Sequence, residues 1–134
     1  MTPPELELSD EEWRDRLSPD QFAVLRHAAT EPPGSGKYLH VDTEGVFHCA
    51  GCDLPIFSTD AKFDSGSGWP SFDRAIAAGT VEEREDRSLG TARTEVVCSG
   101  CGGHLGHLFP DGPTETGIRY CVNSLALEFE PARG

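Results

Sequence analysis

Residues 45–58 read GVFHCAGCDLPIFS: an apolar run, a Cys-Ala-Gly-Cys turn, and a second apolar run. Two short β-prone segments flank a tight turn that holds two thiols, Cys49 and Cys52, with Gly51 just before the second. Cys98-Ser-Gly-Cys101 repeats the pattern, again with a glycine before the second cysteine, and 45 residues separate Cys52 from Cys98. Two such turns supply the four thiolates of a closed, tetrahedral zinc shell with no open position for chemistry. Cys49, Cys52, Cys98 and Cys101 are therefore the expected ligands of a structural zinc that ties distant parts of a sheet together. Rubredoxin-type iron uses the same ligands. Two redox-active pairs are the other alternative, although neither motif sits at a βα junction.

Working outward from that turn, short strands separated by Gly- and Asp-rich turns dominate. The candidates are 45–49, 54–58, 80–86 (TVEERED), 91–98 (TARTEVVC) and 118–130 (IRYCVNSLALEFE). Upstream, SDEEW from Ser9 is a capping-box pattern with Glu12, and Trp13 and Leu17 share a helical face. Ser18 caps a second helix, with Pro19 at its first position, Gln21 at its third, and Phe22 and Leu25 on its apolar side. EPPGSGKY (31–38) ends helical structure. The expected organisation is a tail over 1–8 and a single domain over 9–134: mainly β, with antiparallel sheets and a short helical N-terminal arm.

Composition narrows the function. The chain has 134 residues, 15 glycines, 10 prolines and a net charge of −12, with two lysines and nine scattered arginines. That charge argues against nucleic acid as a partner, which needs Lys and Arg clustered on one face. No apolar run is long enough to span a bilayer, and the acidic N-terminus lacks signal-peptide regions. Paired C-x-x-C motifs with one cysteine left over point to metal plus a free thiol in a reducing compartment, by default the cytoplasm.

That remaining cysteine is Cys121. On an extended strand Arg119, Cys121, Asn123, Leu125, Leu127 and Phe129 share one face, and Tyr120, Val122, Ser124, Ala126 and Glu128 the other. A guanidinium, a thiol and a carboxamide at the mouth of a core face form a pocket wall. His104 and His107 follow the second knuckle in GGHLGHLFPDG, where two imidazoles suit proton delivery or, equally, structural hydrogen bonding. Trp69, in FDSGSGWPSFDRA (63–75), is either a core indole or the aromatic wall of a binding site.

Taken together, LSPDQFAVLRHAATEPPGSGKY, GVFHCAGCDLPIFSTDAKFDSGSGWPSF, CSGCGGHLGHLFPDGP and GIRYCVNSLALEF resemble the B-type methionine-R-sulfoxide reductases over nearly the whole chain. The resemblance implies a β-tent fold with zinc opposite the active site. It also implies an oxidoreductase that reduces the R epimer of methionine sulfoxide, free or protein-bound, as part of protein repair under oxidative stress. Cys121 then matches the nucleophile, and His104 and His107 the groups that bind and protonate the sulfoxide oxygen. Asn123 matches the residue that orients that network, and Arg119 would favour the thiolate. Trp69 matches the cradle for the substrate methyl, with Phe109 a further candidate for the same wall. Many relatives carry a resolving cysteine where this chain has Ser67. With no spare thiol, a Cys121 sulfenic acid would need an external reductant: thioredoxin, glutaredoxin with glutathione, or a small thiol. A monomer is expected. The rival readings are a zinc-stabilised β-tent binding module without catalysis and, against the charge, a nucleic-acid-binding zinc ribbon.

Overall fold

The computed structural model describes residues 9–32, 34–41, 43–77, 79–86 and 93–131. The expected tail over 1–8 lies outside them, as do Thr91 and Ala92 of the expected strand 91–98. Helix α1 (Asp10–Arg16) and helix α2 (Pro19–His27) start where the capping boxes place them. Ser9 Oγ accepts from Glu12 N at 3.2 Å and Ser18 Oγ from Gln21 N at 3.2 Å. Each cap satisfies amides that no helical carbonyl can reach.

The helices are pinned to the cysteine turns. Trp13 is buried, and the Arg26 guanidinium lies 4.6 Å from its ring centre. Arg16 Nε donates to the Gly51 carbonyl at 3.1 Å and Arg26 Nη1 to the Cys101 carbonyl at 2.9 Å. One basic side chain from each helix thus holds each knuckle.

The rest is antiparallel β. Strands β1 (Gly45–Cys49), β2 (Pro55–Ser58) and β9 (Leu127–Pro131) form one sheet in the order β2-β1-β9. A second sheet runs β3-β4-β8-β7-β6-β5. It comprises β3 (Lys62–Phe63), β4 (Ser71–Phe72), β5 (Val81–Asp86), β6 (Arg93–Cys98), β7 (His104–Phe109) and β8 (Arg119–Val122). The aromatic core joins the sheets: Phe57 of β2 stacks on Phe72 of β4 at 4.3 Å and 11°, and Phe47 of β1 meets Phe72 edge-on at 5.2 Å. All three rings are fully buried, and truncating any one to alanine is expected to cost about 3–5 kcal/mol. The mainly antiparallel β fold with two short helices agrees with the expectation from sequence.

The expected single strand over 118–130 is corrected. It breaks after β8 at Asn123, passes through a 3-10 turn (Ser124–Ala126), and resumes as β9 in the other sheet. The continuous face from Arg119 to Phe129 therefore does not exist. Within β8 the core side is Tyr120 and Val122, both buried, while Arg119 and Cys121 are half-buried on the opposite side. The histidines, expected beside a turn, stand on β7. That strand and the two-residue strands β3 and β4 add to those expected.

Candidate active site

The four paired cysteines converge. Their sulfurs all lie within 4.8 Å of one another, with Cys49 Sγ 3.6 Å from Cys101 Sγ and Cys52 Sγ 3.5 Å from Cys98 Sγ. A tetrahedral ion with metal–sulfur bonds of about 2.3 Å needs sulfurs roughly 3.8 Å apart, so the set fits one ion of zinc size. Backbone amides already face the sulfurs: Gly51 N donates to Cys49 Sγ at 3.4 Å and Gly100 N to Cys98 Sγ at 3.3 Å. A side chain at Gly100 would press on Cys52 Sγ, which explains the glycine there. Sharing hydrogen bonds, the thiols split, with Cys101 holding the Cys49 thiol up and Cys49 holding the Cys101 thiol down. A cation is what would let all four ionise together.

Cys121 occupies a different place. It lines a cavity of about 90 Å³ together with Thr30, Trp69, Arg93, Gly106, His107, Phe109 and Asn123, none of them a member of the cysteine cluster. The fold thus brings five of the seven expected site residues to one small cavity. His104 and Arg119 flank it. β7 and β8 approach closely because Gly106 carries no side chain, and a Cβ there would collide with the Cys121 carbonyl.

His107 is the cross-strand partner of Cys121, so their side chains share one face. Its Nε2 lies 2.7 Å from Asp86 Oδ2, and Arg93 Nη2 lies 3.4 Å from the same oxygen. Behind it, His104 is buried with Nδ1 2.6 Å from Glu95 Oε2, and the two imidazole rings meet edge-on at 5.3 Å. Burial pushes the His104 pKa down, and Glu95 opposes the shift without reversing it. His104 therefore stays neutral near pH 7, with Nδ1–H donated to the carboxylate and a buried Nε2 that has no hydrogen-bond partner among the described residues.

Arg119 is held on the far side of the thiol. Its Nε and Nη2 grip Asp111 at 2.9 and 3.1 Å, and its guanidinium stacks 4.4 Å from the Phe109 ring centre. The Asp111 contact holds the arginine firmly cationic and the carboxyl below its usual range. At Cys121, burial pushes the thiol up, while Ser67 and then Arg119 pull it back; burial wins. The Arg119 charge favours the thiolate, but not enough to leave it the resting form.

Asn123 turns inward. Its Oδ1 accepts from Glu31 N at 3.0 Å and its Nδ2 donates to the Leu105 carbonyl at 3.1 Å. The Trp69 indole is fixed from the same residue, with Nε1 donating to the Glu31 carbonyl at 2.9 Å, while Glu31 Oε1 accepts from Leu125 N at 2.9 Å. Glu31, a buried carboxylate, thus couples the indole wall to the segment just after Cys121. Neither Glu31 nor Asp86, Glu95, Arg93 and Asp111 was among the candidates from sequence. Their roles depend on strand register and loop docking, which leave no local signal.

The arrangement offers a half-buried thiol near a cation, an imidazole on the same face, and an aromatic wall. It can bind a small polar group with an apolar substituent and attack it with sulfur.

Comparison with known proteins matches residues 17–131 to the SelR domain family. A peptide methionine sulfoxide reductase MsrB of Bradyrhizobium diazoefficiens is 57% identical over 92% of this chain and 88% of its own length. One from Pseudomonas fluorescens is 54% identical over 94% and 97%. The human mitochondrial methionine-R-sulfoxide reductase B2 is 50% identical over 96% of this chain and 75% of its own. Among solved structures, the Mis18 "Yippee-like" domain shares the fold: TM-score 0.55 over 68% of this chain and 99% of that one, at 17% identity.

Proposed function

Because this chain belongs to the SelR domain family of B-type methionine-R-sulfoxide reductases, we propose that it performs their reaction through Cys121 as nucleophile. The observation that carries this reading is the cavity in which Cys121, its cross-strand partner His107 and the Trp69 indole meet.

The sulfoxide methyl lies against Trp69, with Phe109 completing the apolar wall, and the oxygen faces His107. Asp86 orients the His107 ring, and the ring hands a proton to the oxygen as sulfur attacks. Cys121 sulfur bonds to the sulfoxide sulfur; that sulfur–sulfur bond and the substrate S–O bond then both break as the protonated oxygen passes to the Cys121 sulfur. The products are methionine and a Cys121 sulfenic acid, so thiol plus sulfoxide gives sulfenic acid plus thioether. Asn123 contributes by fixing Glu31, whose backbone carbonyl in turn holds the Trp69 indole. Arg119 raises the thiolate fraction.

Ser67 stands 3.9 Å from Cys121 Sγ at the place a resolving thiol would take. Regeneration is therefore external: two thiols reduce the sulfenic acid to thiol and water and leave as a disulfide. Thioredoxin, glutaredoxin with glutathione, or a small thiol serves, and a reducing compartment such as the cytoplasm suits this cycle. No helix among the described residues is long and apolar enough to cross a membrane. The substrate is oxidised methionine, in proteins under repair or free, and the working unit is residues 9–134 as one monomeric domain. The ion assigned to the cysteine cluster is zinc, whose full shell of four sulfurs confines it to holding the fold together.

The test traps the intermediate. With R-sulfoxide and no reductant, dimedone is expected to label Cys121 stoichiometrically. Labelling elsewhere, or none despite methionine release, would contradict the assignment.

A further inference from the structure

Three serine hydroxyls stand in a row beside Cys121. Ser67 Oγ is 3.9 Å from Cys121 Sγ, Ser65 Oγ donates to Ser67 Oγ at 2.8 Å, and Ser65 Oγ and Ser71 Oγ are 2.7 Å apart. Ser71 is fully buried on β4 and is the register partner of Cys121, so the row is built into the sheet as well as the loop.

The proton inventory of this row is directional. A serine hydroxyl has one proton to give and two lone pairs to fill. Both lone pairs of Ser67 Oγ have donors, Ser65 Oγ at 2.8 Å and the Trp69 amide at 3.4 Å. Towards the sulfur, Ser67 can then only donate. With the Ser65 proton given to Ser67, the Ser65–Ser71 contact takes the Ser71 proton, and the Ser67 proton is left with two acceptors in reach, Cys121 Sγ and the Trp69 carbonyl at 3.5 Å. A hydroxyl that can only donate prefers an acceptor opposite it, and at Cys121 the acceptor form is the thiolate. Donation from Ser65 also polarises the Ser67 O–H and strengthens the bond it makes onward. The Ser67 hydroxyl and the Arg119 guanidinium both oppose burial at the Cys121 thiol.

We propose that Ser65 is a positioning residue for the reaction: by donating to Ser67 Oγ, and held in turn by Ser71, it commits the Ser67 hydroxyl to the Cys121 sulfur and so favours the reactive thiolate. The proposal rests on Cys121 as nucleophile. Ser67 touches the reacting sulfur directly. Ser65 acts only through it.

The test measures Cys121 alkylation by iodoacetamide against pH, without substrate, on zinc-loaded protein, with the labelled peptide read by mass spectrometry. Ser67→Ala is expected to move the midpoint up by about one pH unit, the scale of a hydrogen bond to a charged group. Ser65→Ala should move it up by roughly half as much, because it weakens that bond without removing it. The Ser65→Ala/Ser67→Ala double variant should move it no further than Ser67→Ala alone, and Ser65→Thr, which keeps a hydroxyl, should restore the wild-type midpoint. Ser65→Gly, the same deletion in a loop that already holds two glycines, provides a second route to the shift. An unmoved midpoint in both Ser65 deletions, or a double variant whose shift is the sum of the singles, would overturn the proposal. Since no turnover is measured, this outcome is separate from the nucleophile assignment, which fails instead if Cys121→Ser still reduces the sulfoxide.

Discussion

His107 and Cys121 are register partners on adjacent antiparallel strands, which puts an imidazole and the thiol on one face of the sheet. Asp86, on a strand two places away in the sheet order, fixes the ring at 2.7 Å. If His107 supplies the proton, His107→Ala should lower kcat about 100-fold, within the usual range for a general acid, and change KM far less. Asp86→Asn should give a smaller loss in the same direction, since it leaves the ring but loosens its orientation. Steady-state kinetics on the R-sulfoxide decide; an unchanged kcat in His107→Ala would remove the histidine from the chemistry.

Burial holds the Cys121 thiol above its ordinary range against the pull of Ser67 and Arg119. The reactive form is the thiolate, and a raised pKa keeps it scarce at neutral pH. Alkylation of Cys121 is therefore expected to rise about tenfold per pH unit through neutrality, with no plateau until the pH passes the ordinary thiol range. Arg119→Ala removes a group that favours the charged form, so its profile should shift further up. A wild-type plateau near pH 6, or a downward shift in Arg119→Ala, would show the electrostatic assignment to be wrong.

Ser67→Cys restores a thiol where the serine oxygen now stands 3.9 Å from Cys121 Sγ. A disulfide needs sulfurs about 2.05 Å apart, and the loop has slack for that closure at Gly66 and Gly68, both at positive φ. One equivalent of R-sulfoxide should yield a 67–121 disulfide in the mass spectrum of the variant. A persistent sulfenic acid would mean the loop is too rigid to close.

The cysteine cluster joins the end of β1 and the turn after it to the end of β6 and the turn that follows, and both helices hydrogen-bond to its knuckles. Metal analysis should find one zinc per chain. Chelation, or Cys98→Ser, should lower Tm by at least roughly 10 °C, because the ion's binding energy is folding energy and each kcal/mol is worth about 2–8 °C at this size. Full stability without metal would show that packing alone holds the cluster.

Much of this was legible in the sequence where the signal was local. The caps at Ser9 and Ser18 depend on residues three positions away, and both helices begin as those pairs indicate. The spacing within each C-x-x-C turn placed the cysteines as a cluster, and period-2 alternation put Arg119 and Cys121 on one face. The alternation failed at Asn123, where the side chain is captured by Glu31, 92 residues away in sequence, and by Leu105. The Asn123 carbonyl also accepts from Ala126 N at 3.1 Å, which winds the chain into a 3-10 turn that no hydrophobic pattern marks. Nothing local marks β7, because GGHLGHLF contains no β-branched residue and its glycines signal a turn; Gly106 is there for strand approach instead. The carboxylates behind the histidines, Glu95 and Asp86, are fixed by strand pairing across the sheet. Only the register brings them into place.

The central claim is that Cys121 attacks the sulfur of one sulfoxide epimer. The most direct measurement presents the two separated epimers of a capped methionine sulfoxide to the purified protein with dithiothreitol, alongside Cys121→Ser. The account predicts turnover of the R epimer alone, abolished in the variant. Equal turnover of both epimers, or activity that survives Cys121→Ser, would contradict it.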